Sequence, residues 1–458
     1  MIEAIRVRNY KSVVDMKLRF GQVNVFIGEN GSGKSNILEA MAMAAASEKN
    51  SLTKGYLVSR GIRVIDDTEL MSSNFHDAVK DQPIMIDVYP TDDLGSLSPK
   101  SLPYQEYLIN SHLVDNSFIR FDFKKKVFMK VEEELLEVGN SPVDEFYEKR
   151  IAKRKQIDEI SNKLKSHSAN ADKLFEALSN SIKDEKFQGR EIVNKLGNTN
   201  SIDEFIDQLS TLVSEEDVKE AESFKKVSAD LVEEVNQGVQ SLVDFIVFTP
   251  ENTALRNFYK EGQVEPLGVH GEGLLRTLRS LRLKTGAMKD IEEALSLFGW
   301  YDSFTIPENL SDVEDKIFIK DKFIRSEFDQ RSANEGFLFV LFYMALIVSE
   351  NTPKIFAIDN VDTSLNPKLC RRLMEVITKL CVKYDKQVFL TTHNPAILDG
   401  VDLKDSKNKL FVVSRDYDGE TIAKPVSKDK NFKESDGKKL KFSEAFLRGY
   451  IGGLPKGF

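Results

Sequence analysis

The stretch VNVFIGENGSGKS, residues 23–35, constrains this chain more than any other. A short apolar strand runs into a glycine-rich loop, and NILEAMAMAAAS then reads as a helix. That order, strand then glycines then helix, is the context a phosphate-binding loop requires. Gly28, Gly33, Lys34 and Ser35 stand at the spacing of G-x-x-x-x-G-K-[ST]. The glycines let backbone N–H groups turn inward around phosphates, and the helix that follows directs its positive end at the anion. Asn30, Gly31, Ser32 and Gly33 are therefore candidate binding residues, and so are Lys34, Ser35 and Asn36. Lys34 would reach the terminal oxygens as a point charge, and Ser35 would ligate magnesium.

A second apolar strand, KIFAID at 354–359, supplies the partner. Asp359 at its end is placed to hold the magnesium opposite Ser35, directly or through water. Alone, the segment also reads as a core strand ending in an N-cap aspartate. Beside the loop, the metal reading takes precedence. A nucleoside triphosphate and Mg2+ are the expected ligands, with Lys34 and Asp359 at the chemistry; no motif here selects the base.

Composition fits a large soluble globular protein: 458 residues, 41% hydrophobic and 30% charged. No apolar run approaches the roughly 20 residues needed to cross a bilayer, and MIEAIRVRNYKSV alternates like a strand and unlike a signal peptide. A cytoplasmic protein is expected, with no membrane contact. Cys370 and Cys381 are too few to frame a zinc site. A net charge of -9 gives no overall basic field for nucleic acid. The run FKKKVFMK at 123–130 is a possible backbone-binding stripe, but an edge strand guarded by lysines is the preferred reading. Between 141 and 243 charge is dense, and Ile157, Ile160, Leu164, Leu174 and Leu178 fall at partly helical spacing. The reading is a nucleotide domain split by a helical insertion: 1–140, then the insertion at 141–243, then 244–458. The charged tail at 404–441 is expected to form an exposed hairpin or loop. After it, Phe442, Phe446, Leu447, Tyr450, Ile451 and Leu454 line one side of a short helix suited to docking into a groove on its own core or on a partner, its own core being the preferred reading.

VRNYKS at 7–12, GENGSGKS, RSANEG at 331–336, IDNVDTSLNP and TTH at 391–393 occur in the order found in the ABC-type ATPases that include RecF, SMC, Rad50 and OLD proteins. The resemblance frames nearly the whole chain. It implies an α/β P-loop ATPase head with mixed sheets and a helical insertion, in which two heads sandwich two nucleotides. RSANEG resembles the signature motif, which would give Ser332 a contact with the partner's terminal phosphate, with Asn334 in the adjoining turn; a helix N-cap by Ser332 is the competing reading. His393 resembles the switch histidine that hydrogen-bonds the terminal phosphate, with a satisfied core histidine as its competitor. Lys11 and Ser12 resemble early residues near the nucleotide, with a solvent-facing strand end as the alternative.

Asn360 departs from the pattern. The family places a glutamate there to orient or deprotonate the attacking water, and an amide cannot accept that proton. The resemblance therefore implies tight ATP binding and slow hydrolysis. Asp362 occupies a further acidic place in the pattern and could rescue hydrolysis if its turn bends it inward; the preferred reading is that it serves the dimer seam, as that side chain usually does in the family. The stretch after Gly400 is too short for a fused Toprim nuclease, and the five histidines show no HNH spacing. Any nuclease is expected on another chain. Size and tail resemble the ATPase subunits of bacterial antiphage systems: first Septu, whose PtuA-like ATPase accompanies an HNH nuclease, and second PARIS, whose ATPase accompanies a Toprim nuclease. The implied partners are a second copy, in a head-to-head dimer or a higher oligomer, and that nuclease, with DNA reached through it. An SMC- or RecF-like repair ATPase acting on DNA directly is the alternative.

Overall fold

The computed structural model describes residues 1–64, 71–73, 83–90, 104–114, 118–131, 134–139, 238–258, 266–307, 316–427 and 440–453. The insertion expected at 141–243 lies outside these, apart from 238–243. The chain divides into two compact units: Met1–Val88, Tyr107–Lys124 and Gln240–Phe458 form one, and Tyr89–Glu106 with Lys125–Val239 the other.

The first unit opens with β1 (Ile2–Tyr10), β2 (Val13–Arg19), β3 (Val23–Ile27), α1 (Lys34–Glu48) and α2 (Lys54–Ser59). β4 (Ile84–Pro90), β5 (Tyr104–Val114) and β6 (Phe118–Val131) follow, and β7 (Glu134–Gly139) belongs to the second unit, where it pairs antiparallel with Val127–Val131 of β6. The basic run at 123–130 thus lies in a paired strand. The first unit resumes with β8 (Val247–Phe248), α3 (Asn252–Arg256), α4 (Leu274–Leu281) and α5 (Thr285–Leu295). An antiparallel sheet of β9 (Tyr301–Thr305), β10 (Phe318–Asp321) and β11 (Phe328–Asp329) leads to α6 (Glu335–Val348). Then come β12 (Ile355–Ile358), α7 (Pro367–Lys383), β13 (Gln387–Thr392), β14 (Asn408–Arg415), β15 (Thr421–Pro425) and α8 (Phe442–Leu447).

The central sheet has the order β15-β14-β3-β13-β12-β8. All its pairings are parallel except the β14–β15 hairpin. β3, β12 and β13 are buried at every position, which explains why they read as near-continuous apolar runs. The register Ile27↔Thr392 and Leu390↔Ile358 brings the C-terminal ends of β3, β13 and β12 to one edge. In open parallel sheets that edge is where ligands bind. α6 is buried from Gly336 to Val348, as its uniformly apolar sequence requires. α7 is amphipathic: Asn366 caps it, Pro367 fills its first turn, and Cys370, Leu373, Met374, Ile377, Leu380 and Cys381 face the core. The two cysteines are free, buried thiols.

Two expectations change. The tail at 404–441 does carry a hairpin, β14–β15, but not an exposed one, because β14 lies within the central sheet beside β3, with Leu410 to Val413 buried. The charged flanks concealed an apolar run of strand length. In the C-terminal segment, Phe446 is buried and Phe442 and Ile451 pack on the core, whereas Leu447 and Tyr450 are more than half exposed. Among the described residues no helix is long and apolar enough to cross a membrane.

Lys386 is an unusual core group, buried where α6 ends. Its ammonium donates to Ser349 O at 2.8 Å, Thr352 O at 2.9 Å, Thr352 Oγ1 at 3.0 Å and Pro353 O at 3.1 Å. Desolvation pushes its pKa down to about 8. Lys386→Met leaves these acceptors unpaired and is expected to destabilise the fold by about 2–4 kcal/mol at pH 7 in denaturant titrations. The folded pKa lies below the unfolded one, so the unfolded state binds more protons between about pH 8 and the ordinary lysine value. Wild-type stability relative to the variant should therefore rise across that window and fall back as pH drops through 8.

Candidate nucleotide site

Gly28 to Gly33 link β3 to α1 at the edge where β12 and β13 end. The turn uses positive φ at Gly31 (75°) and Gly33 (100°). Lys34, the first residue of α1, folds back over the loop and donates to Gly28 O at 2.9 Å and Glu29 O at 2.8 Å. Ser35 Oγ donates to Asp359 at 3.0 Å and 3.3 Å. His393, one residue past β13, sets Nδ1 3.0 Å from Gly28 O and 3.3 Å from Lys34 Nζ. Lys34, Ser35, Asp359 and His393, four residues picked from distant parts of the sequence, thus share one site.

The electrostatics follow from partial burial. Desolvation, opposed by Asp359, Asp362 and Glu29, brings the Lys34 pKa to about 8. Desolvation, then repulsion from Lys34, lowers the His393 pKa, so the ring is neutral at pH 7. One ring nitrogen cannot serve both neighbours. With a proton, Nδ1 donates to Gly28 O; without it, Nδ1 accepts from Lys34 and the neutral ring carries its proton on Nε2, the form able to donate to a terminal phosphate.

The donor set fits magnesium: a hydroxyl and a carboxylate meet, all hard oxygen, leaving the remaining positions to water and phosphate oxygens. Ser32 Oγ, buried without a hydrogen-bond partner among the described residues, is the kind of orphan that a ligand in the loop would satisfy. ATP would sit on the loop amides and Lys34, and magnesium, when bound, would neutralise phosphate charge between Ser35 and Asp359.

Asn360 sits at φ 56°, exposed, and its side-chain amide makes no hydrogen bond among the described residues. Its backbone N–H donates to Thr391 Oγ1 at 2.8 Å, and that hydroxyl donates in turn to Asp359 Oδ1. Thr391 thereby orients the Asp359 carboxylate and starts the turn. A left-handed φ is easier for Asn than for Glu, so the backbone itself favours the amide here. Asp362, two residues on, carries a buried Oδ1 without a partner among the described residues, and its charge is felt by both Lys34 and His393.

Ser12 and Asn36 meet through a 2.7 Å bond from Asn36 Nδ2 to Ser12 Oγ, and both are withdrawn from full exposure. Lys11 is not solvent-facing: it pairs with Glu39 of α1 and donates to Arg63 O. Glu39 is 1% exposed and also accepts from Tyr10 at 3.2 Å and Arg63 at 2.6 Å. Breaking such a buried charge cluster costs about 3–5 kcal/mol. Ser332 and Asn334 are not brought to this loop. They line a separate hollow of about 600 Å³ with Trp300, Ile324 and Phe328. Asn334, not Ser332, caps α6, accepting from Phe337 N at 3.3 Å, because the helix begins at Glu335. Sequence reasoning missed Glu39, Arg63, Arg415 and Thr421, none of which belongs to a local motif.

A family model described as "AAA domain, putative AbiEii toxin, Type IV TA system" matches residues 23–399. The chain belongs to this AAA-domain family. The match runs from the first residue of β3 to beyond His393 and so takes in the loop, Asp359 and Asn360. Curated relatives match over short stretches. RecF, the DNA replication and repair protein of Listeria welshimeri, is 42% identical over 53 residues, 11% of this chain and 14% of RecF. The Rad50 double-strand break repair ATPase of Thermoplasma volcanium is 36% identical over 67 residues, 14% of this chain and 8% of Rad50. The chain thus spans far less than two thirds of either relative. Among solved structures, the Smc head domain of Pyrococcus furiosus bound to the C-terminal domain of ScpA is 14% identical with a TM-score of 0.41, covering 93% of this chain and 96% of that one. The SMC head domain of Thermotoga maritima is 11% identical with a TM-score of 0.37, covering 93% and 99%. With scores this low, the fold assignment rests on the strand order and the family match, which agree on an α/β P-loop fold.

Lys34→Ala removes a charge-assisted hydrogen bond worth about 1.5–3 kcal/mol. Affinity for ATP·Mg2+ should fall roughly tenfold to a hundredfold in equilibrium binding. Asp359→Ala should abolish the difference between ATP affinities measured with and without magnesium.

Proposed function

We propose that this protein is an ATP-binding, slowly hydrolysing subunit whose ATP-bound form pairs two copies, and that it scaffolds and gates a separately encoded nuclease in bacterial antiphage defence. The observation that carries the reading is the composition of the site: Lys34, Ser35, Asp359 and His393 are assembled, while the position after Asp359 offers an exposed amide instead of a proton acceptor. Such a site holds nucleotide and consumes it slowly, since a positioned general base contributes about a hundredfold to ten-thousandfold in rate. ATP held that long acts as an adhesive: any ligand that binds the paired state better shifts the population toward it.

The separation of Ser332 and Asn334 from the loop of their own chain supports a second copy, whose Ser332 would complete this copy's site from outside. An HNH-type nuclease, as in Septu, is the favoured partner, and a Toprim-type nuclease, as in PARIS, the second. The protein would work in the cytoplasm, with DNA reached through the nuclease, and the segment 141–243 would serve oligomer or partner contacts.

A second reading, a repair ATPase acting on DNA directly, is favoured by the local identity to RecF and Rad50. Salt-sensitive DNA binding by the purified chain alone, strengthened by ATP, would select it.

Steady-state turnover should be well below one per second. Asn360→Glu should raise it about a hundredfold or more and shorten the lifetime of any ATP-dependent assembly, with about 1–2 kcal/mol of lost stability from the left-handed turn. Asn360→Gln, equally long but without the acid, should not accelerate. Brisk wild-type turnover unaffected by Asn360→Glu would remove the gating mechanism.

A further inference from the structure

The β14–β15 hairpin has more to do with the phosphate loop than a neighbouring strand pair needs. β14 runs parallel to β3 with Val412 beside Ile27, so its continuation passes along the loop, and a Cβ on Gly28 would overlap Val413 O. The tight turn after Arg415 then returns Thr421 opposite it. Arg415 Nε donates to Gly31 O at 2.8 Å while its Nη1 holds Gly419 O at 2.7 Å. Thr421 is 5% exposed. Its Oγ1 lies 3.0 Å from Ser32 O and 2.7 Å from Ser12 Oγ, and its N–H donates to Ser12 O at 2.7 Å. Gly33 is left no room for a side chain, because a Cβ there would strike the Thr421 hydroxyl.

Proton accounting gives this chain a direction. Ser32 O can only accept, so Thr421 donates to it; each hydroxyl has one proton, so Ser12 donates to Thr421; and Ser12 accepts from Asn36 Nδ2 at 2.7 Å. The relay runs from α1 through β1–β2 and β15 into the loop backbone. Its end points are the carbonyls of Gly31 and Ser32. In a trans peptide the N–H points opposite to the C=O. Tying those two carbonyls to the hairpin turns the amides of Ser32 and Gly33 the other way, and the Ser32 N–H donates within the loop to Glu29 O at 3.3 Å, a long bond that an arriving phosphate would replace.

We propose that Thr421 and Arg415 are positioning residues for the phosphate loop: they hold the Gly31 and Ser32 carbonyls on the hairpin side, which leaves the Ser32 and Gly33 amides on the other side of the loop for an anion, the Ser32 amide exchanging Glu29 O for it. Their side-chain bonds go to the loop, the hairpin turn and Ser12. The inference rests on the nucleotide-binding reading above and adds to it that loop geometry is set from the C-terminal hairpin, so that a partner pulling on that hairpin would loosen the nucleotide.

The test uses the full chain with ATP·Mg2+ and ADP as probes, and hydrogen exchange without nucleotide. Thr421→Val keeps the shape and removes the hydroxyl, leaving Ser32 O without its donor and the Ser12 hydroxyl proton without its acceptor. Affinity for ATP and for ADP should fall together, about tenfold, and amides 29–34 should exchange faster in the nucleotide-free protein. The rate at saturating ATP should stay within roughly threefold, since the chemistry is untouched. Thr421→Ser should restore affinity to within about twofold. Arg415→Lys, which cannot hold two carbonyls in a fork, should fall between. A purely structural role would lower melting temperature without the affinity change or the serine rescue. Unchanged affinity and exchange in Thr421→Val, with normal wild-type binding, overturns this inference alone; a wild type that binds neither nucleotide overturns the nucleotide reading with it.

Discussion

The site depends on one strand pairing: β13 lies parallel between β3 and β12 in fixed register. Because side chains alternate along a strand, a slip of one residue would reverse every inward group. The burial of all three strands on both faces makes such a slip costly, and the chain ends are held where the register puts them. Gly28, Asp359 and His393 are each the first residue beyond a strand, so their proximity follows from backbone geometry before any polar contact forms. Thr391 then fixes the orientation of Asp359, and Lys34 closes the loop from α1.

Much of this was legible in the sequence, and for identifiable reasons. VNVFIG and KIFAID announce buried parallel strands because both faces must be apolar, and GENGSGKS announces a turn because only glycine takes its conformations cheaply. TTH was found through its place in a motif order. β14 was hidden: LFVV carries the right apolar run, but Lys, Asp and Ser on either side set the average of the whole segment. Thr421 had no local signal at all, since its role arises from a hairpin that returns it to residues 389 positions earlier in the sequence. Glu39 was equally silent. A glutamate in NILEAMAMAAAS is a good helix former whether it faces water or, as here, a buried cluster with Lys11 and Arg63.

Asn360 joins two levels of explanation that need not agree and here do. The backbone at that residue is left-handed, which suits Asn and strains Glu. On the proposed function, the same residue also offers an amide where a proton acceptor would speed hydrolysis, which would suit retention of ATP over turnover. The turn is held by Thr391 and by Thr363, whose hydroxyl donates to Asn360 O at 2.7 Å, so the backbone that carries the amide is part of a defined structure. Asp362 is a further acid whose charge reaches Lys34 and His393, with one oxygen sequestered from solvent.

The most direct test is the identity of the nucleotide that stays on the protein. Purified protein loaded with ATP and magnesium, freed of excess nucleotide by rapid desalting and quenched after increasing intervals, should release intact ATP over minutes. Recovery of ADP and phosphate within a second of loading would contradict a site built to hold its nucleotide.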